Sequence, residues 1–190
     1  MDRLVIDIET KNTFQDVGGE QNVHKLDASL IGVYSYARDT YFGLEEHEFD
    51  QIDELLAKAE LIIGFAINRF DIPVMKKYCK VDITKIKTLD MFDEVQKKMG
   101  RRVGLGVLCE ANLNIGKTGH GLDAIQYYKD GDIKKLKEYC LNDVKITKQL
   151  YEFVLDKKKL FVPNRMDPPG VFFDFDWGWS LKTNLQGMLF

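Results

Sequence analysis

The stretch RLVIDIET, residues 3–10, decides the fold. It alternates and is rich in β-branched residues, so it reads as a strand with Leu4, Ile6 and Ile8 on one face and Val5, Asp7 and Glu9 on the other. Acids two apart on a strand project from the same face. The first strand of an α/β fold is normally central and covered, and a charge buried there is costly unless compensated. Solvent exposure on a half-open sheet face is the plain alternative. The central position favours a compensated, functional pair.

Working outward, ASLIGVYSYA (28–37) and residues 40–49 read as second and third strands around the charged turn Arg38-Asp39. A short amphipathic helix over 51–60 and a buried strand over 61–66 follow. Another helix starts near Asp71, with Pro73 in its first turn, where a missing N–H is harmless. Residues 85–91 read as a fifth strand, and helical patterns occupy 103–112, 122–128 and 133 to about 156. In the last, Leu136, Cys140, Asp143, Val144, Thr147, Leu150, Tyr151 and Val154 form a stripe at helical spacing. This order predicts one α/β domain over residues 1–156, with a central mixed five-stranded sheet flanked by helices. Residues 157–190 hold three of the four prolines and the run FFDFDWGW, and read as an aromatic extension wrapping that domain.

Composition sets outer limits. At 190 residues and 45% apolar content the chain fills one core, and 30% charged residues argue against wholesale disorder. Lys and Arg total 27 against 30 acids, a net charge of -3 that weighs against a nucleic-acid partner unless clustered carboxylates hold divalent cations. Three cysteines without a CxxC pair indicate neither a disulfide framework nor a zinc site, and each reads as a small buried hydrophobe. With no signal-like leader and no apolar run near the roughly 20 residues that span a bilayer, the expected location is cytoplasmic, away from membranes.

Two further elements carry acids. In IIGFAINRFDIPVM (62–75), Asp71 stands at a helix start, where alone it is an ordinary N-cap. In YCLND (139–143), Tyr139 and Asp143 are four apart and share a helix face, with Asp143 inside the apolar stripe where a solvated charge is not expected. A structural Tyr–Asp pair is the alternative.

In order along the chain, VIDIET, GFAINRFD and YCLND resemble the three-motif signature of the DEDD (DnaQ-like) 3′→5′ exonucleases, the superfamily that includes polymerase proofreading domains. Glu138 stands where one branch has His, and Tyr139 where the other has Tyr, so the chain resembles the tyrosine branch. The FDIPVM continuation is similar to proofreading domains of B-family polymerases and to stand-alone bacterial ribonuclease H-like exonucleases. The resemblance implies a ribonuclease H-like fold and a two-metal 3′→5′ exonuclease using Mg²⁺ or Mn²⁺. It implies Asp7 bridging both ions, Glu9 and Asp143 completing the water-activating site, Asp71 supporting the second ion and Tyr139 orienting the water. With a normal pKa near 10, Tyr139 suits positioning better than proton abstraction. The substrate implied is single-stranded DNA ahead of RNA, in proofreading or repair. A 3′→5′ exoribonuclease and a catalytically silent binding module are the alternatives.

Relatives often carry Asn where this chain has Ala66, a departure that bears on substrate grip more than on metal binding; Asn68 is a nearby substitute. Phe65 and Phe70 are candidates to stack on terminal bases, or core residues. Lys117, in NIGKTGHG, reads as a phosphate contact or a solvated loop lysine, and Asp90 as a support for the site or a turn cap. The ending Leu185-Gln186-Gly187-Met188-Leu189-Phe190 resembles the bacterial sliding-clamp-binding peptide, with Gln186 ahead of Leu189 and Phe190. It implies a clamp partner, with packing of Met188, Leu189 and Phe190 on their own domain as the alternative.

Overall fold

Five strands, β1 (Asp2–Thr10), β2 (Ala28–Ser35), β3 (Thr40–Glu45), β4 (Ala59–Gly64) and β5 (Thr88–Asp90), form one mixed sheet in the order β3-β2-β1-β4-β5. In this computed structural model, which describes residues 1–116, 121–164 and 170–177, β1 lies at the sheet centre. It pairs antiparallel with β2 and parallel with β4. Lys117, Gln186, Met188, Leu189 and Phe190 lie outside the described residues.

The alternation of β1 sorts its side chains into two cores. Leu4, Ile6 and Ile8 pack with Ile31, Val33, Ile52, Leu55, Ile62, Val74 and Met75 on the face covered by helices α1 (Ile52–Leu56) and α2 (Asp71–Met75). Val5 packs with Ile63, Met91, Val95, Leu108, Val144, Tyr151 and Val154 on the other. That second face lies under α3 (Met91–Met99), α4 (Leu105–Leu113) and the long α6 (Ile133–Lys157), with α5 (Gly121–Lys129) packed beside α6. Burial on both faces is what a central strand requires.

Helix α6 starts at Asp132, whose carboxylate accepts the Lys135 N–H at 3.1 Å, and ends where Lys158 turns left-handed at φ 57°. Its stripe packs closely on β2 because Gly32 has no side chain. A Cβ there would stand 2.7 Å from Cys140 Sγ and 2.9 Å from Val144 Cγ2. Gly32 is the register partner of Asp7, so this close approach lies directly beside the first acid.

Several expectations need correction. The third strand ends at Glu45 and a 3₁₀ helix takes Glu46–Gln51, since the Glu45–Glu48 capping box turns the chain there. Helix α1 is only five residues long, and Ala59 and Glu60 belong to β4. Helix α3 was not anticipated: Asp90 caps it and Gly100 ends it in a left-handed turn. The aromatic extension contains a hairpin, β6 (Lys159–Pro163) with β7 (Gly170–Asp174). Leu160, Val162, Phe175 and Trp177 are buried in the same cluster as α6, and Trp177 stacks on Tyr151 with centroids 5.5 Å apart. Cys109 and Cys140 are buried as expected, but Cys79 is only half-buried.

Candidate active site

Asp7 and Glu9 extend the Val5 row of β1 towards its C-terminal end, and a register slip between Glu9 and Thr10 disrupts the pairing just past them. Glu9 is 8% exposed, and Asp7 is half-buried. Asp71 opens α2 and is 3% exposed; its Oδ1 accepts the Ile8 N–H at 3.0 Å. That bond ties the start of α2 to β1 between the first two acids. Tyr139 and Asp143, one turn apart on α6, reach the same place from the opposite side. Asp7, Glu9, Asp71, Tyr139 and Asp143 all line one open cleft of about 320 Å³.

The electrostatics record this crowding. Burial pushes the Asp7 carboxyl well above the usual carboxylate range, and the negative charges of Glu9, Asp71 and Asp143 raise it further. Glu9 is raised likewise, by burial and then by Asp143 and Asp71. Burial lifts Asp71 to about 7 against the lowering effect of the Ile8 N–H bond. The charges acting most strongly on these three are all negative, so the cleft is short of positive charge. Burial and the charges of Asp143, Glu9 and Asp7 raise the Tyr139 phenol above its normal value, which keeps it protonated and a hydrogen-bond donor.

A divalent cation fits this donor set. Donor atoms of Asp7, Glu9 and Cys140 all lie within 4.8 Å of one another, and the carboxylates of Asp71 and Asp143 line the same cleft. Cys140 is the member that sequence reasoning left among the plain hydrophobes. Its Sγ is 3.5 Å from the Asp7 carbonyl oxygen and 3.7 Å from Asp7 Oδ2. Its position three residues before Asp143 was the available signal, because that spacing shares a helix face.

Much of the remaining cleft lining is apolar. Phe14, Leu26, Phe65, Ala66, Phe70, Leu122 and Ile125 supply the apolar lining, and Thr10, Asn12 and Thr13 add polar groups beside the acids. Phe65 also packs edge-on against Phe92 at 5.6 Å and Phe70 against Phe14 at 5.8 Å, so both are wall and core at once. Asn68 is not part of the lining. Its amide donates to Asp93 Oδ2 at 2.9 Å and its Oδ1 accepts from Thr88 at 3.0 Å, so the substrate contact expected of it has no geometric support. Nothing in the sequence sets Phe14, Leu122 and Ile125 apart as cleft residues, and Leu122 is 69% exposed.

A ribonuclease H-like α/β fold with an acidic cluster at the end of its central strand is thus the class defined by sheet order and site. A family model described as RNase_H superfamily matches residues 4–155, and the chain belongs to that superfamily. No curated protein matches it. Among solved structures, the family B DNA polymerase from the hyperthermophilic archaeon Pyrobaculum calidifontis is similar, with a TM-score of 0.64 at 15% identity over 82% of this chain. The chain spans only 24% of that polymerase's length, and at this identity the likeness is one of fold.

Proposed function

We propose that this chain is a metal-dependent 3′→5′ exonuclease of the tyrosine branch, releasing nucleotides from the ends of single-stranded DNA. The observation that carries the proposal is the convergence of Asp7, Glu9, Asp71 and Asp143 with Tyr139 on one cleft, from three separate elements. Asp7, Glu9, Asp71 and Asp143 would hold two divalent cations, Mg²⁺ or Mn²⁺. Such a pair supplies an activated water and stabilises charge on the departing 3′ oxygen.

The chain's own residues do the rest. Tyr139, held protonated by burial and by the surrounding acids, donates a hydrogen bond that orients the attacking water. Asp71 keeps α2 registered on β1 through the Ile8 N–H, so the carboxylates are arranged before substrate arrives. Phe65 and Phe70 offer ring surface to unstacked bases, a contact that tolerates any sequence and disfavours paired ends. The net charge of -3 is consistent with a site whose positive charge comes from bound cations. We assign the nuclease to residues 1–156 and the supporting hairpin to the extension over 157–190.

The test is parallel digestion of matched single-stranded DNA, duplex DNA and RNA with Mg²⁺ or Mn²⁺, for the wild type and Asp7→Ala or Asp143→Ala. Stepwise shortening of 5′-labelled single-stranded DNA, lost in both variants, supports the proposal. Faster digestion of RNA turns it into an exoribonuclease. Degradation unchanged in the variants, or binding without cleavage in the wild type, overturns it.

A further inference from the structure

Asp90 ends β5 and caps α3, yet half of its hydrogen bonds go elsewhere. Oδ1 accepts the Phe92 N–H at 3.0 Å and the Asp93 N–H at 3.4 Å, the bonds of a helix N-cap. The same oxygen accepts the Ala66 N–H at 2.8 Å, and Oδ2 accepts the Asn68 N–H at 2.9 Å. Capping needs only the first pair. The second pair is shorter and crosses to the loop between β4 and α2, from a carboxylate that is 4% exposed.

That loop is one wall of the cleft. It holds Ala66 at φ 66°, a left-handed conformation that alanine does not choose unaided. A second layer of contacts acts on the outer side of the loop. The Asp93 carboxylate accepts from Asn68 Nδ2 and Arg69 Nη2, each at 2.9 Å, and the Arg69 guanidinium lies 4.3 Å from the Phe92 ring centre. Asn68 and Arg69 thus face the β5–α3 corner, while Phe65, Ala66 and Phe70 face the cleft and lead into Asp71.

We infer that Asp90 is a positioning residue for substrate: its carboxylate latches the Phe65–Phe70 loop to the β5–α3 corner and so holds one wall of the cleft in shape for a nucleic-acid end. The inference rests on the nucleic-acid reading given above. It separates capping from latching, because the two jobs use different bonds of one side chain.

Two substitutions exploit the separation. In Asp90→Ser the hydroxyl still caps α3 but is too short to serve the loop as well, and in Asp90→Asn the amide NH₂ must face at least one N–H that the carboxylate accepted. Three readouts are taken on both variants: amide hydrogen exchange, affinity for a short single-stranded DNA with Ca²⁺ in place of the active metal, and kcat and KM with Mn²⁺. The latch predicts faster exchange at Asn68, and in the serine variant at Ala66 too, with Phe92 and Asp93 still protected. Kd and KM should rise together by about tenfold while kcat holds within about threefold, the mark of lost binding rather than lost chemistry. Unchanged Kd and KM in both variants overturn the inference, as does a fall in kcat alone that follows lowered thermal stability. A wild type that binds the oligonucleotide but never cuts it removes the nuclease proposal and leaves the latch to be judged on exchange and Kd. A wild type that does neither removes both.

Discussion

Asp71 makes the metal-free protein sensitive to pH in a direction opposite to that of an ordinary paired carboxylate. Its pKa rises from 3.8 to about 7 on folding, chiefly through burial. A carboxyl whose folded value is raised holds its proton more tightly in the native state. Its contribution to stability is therefore complete below the unfolded value and is lost as pH climbs through the folded one. At 1.36 kcal/mol per pKa unit, the displacement corresponds to about 4 kcal/mol between pH 4 and pH 8. For a chain of this size that is roughly 8–16 °C in Tm, with Asp7 and Glu9 acting in the same sense. Asp71→Asn removes the charge but keeps an oxygen for the Ile8 N–H. The assay is thermal unfolding in chelator across pH 5–8. The wild type should lose stability towards pH 8, and the variant should show a flatter profile and unfold at higher temperature there. Added Mn²⁺ at pH 8 should raise the wild-type Tm by the binding energy it contributes, about 2.7 kcal/mol at a hundred times Kd, and the variant's by less. A metal-free wild type whose Tm is flat or rises to pH 8, or a variant less stable than wild type at that pH, would refute the reasoning.

Four further outcomes are expected. Gly32→Ala drives a methyl into Cys140 and Val144 and should cost about 1–3 kcal/mol in chemical denaturation, with Mn²⁺ affinity weakened because α6 carries Asp143 away from Asp7. Ala66→Asn places a residue that tolerates the left-handed region at φ 66° and should stabilise by about 1 kcal/mol in the same assay, while adding a polar group to the cleft wall. Trp177→Ala opens a cavity against Tyr151 and should cost about 3–5 kcal/mol, showing that the extension is part of the core rather than an ornament. Deleting the last five residues should abolish capture by a bacterial sliding clamp without altering nuclease rate; capture that survives the deletion would dismiss the clamp peptide.

Much of this architecture was legible in advance because its signals are local. RLVIDIET fixed a two-faced strand by alternation alone, and the stripe from Leu136 to Val154 fixed α6 by its period. What stayed hidden depends on contacts distant in sequence. Helix α3 is the exception, since its signals are local: Met91, Phe92, Val95 and Met99 recur at helical spacing between the Asp90 cap and the Gly100 stop, and the apolar start of that run also suits the end of a strand. The hairpin within the extension pairs strands across residues 165–169 and finds its partners on α4 and α6, which no local pattern encodes. Within the site, the acids were readable as charges out of place in apolar surroundings. Cys140 had only its spacing from Asp143 to mark it, because a thiol looks the same in a sequence whether it packs on alkyl groups or on Asp7.

The nuclease chemistry depends first on whether the oxygens of Asp7, Glu9, Asp71 and Asp143 gather metal. Anomalous diffraction from crystals soaked in Mn²⁺ measures this without any assumption about substrate. Two peaks within reach of these carboxylates, both touching Asp7, are the result expected. A cleft without anomalous signal at saturating Mn²⁺, or a peak elsewhere with these four side chains uninvolved, would contradict it.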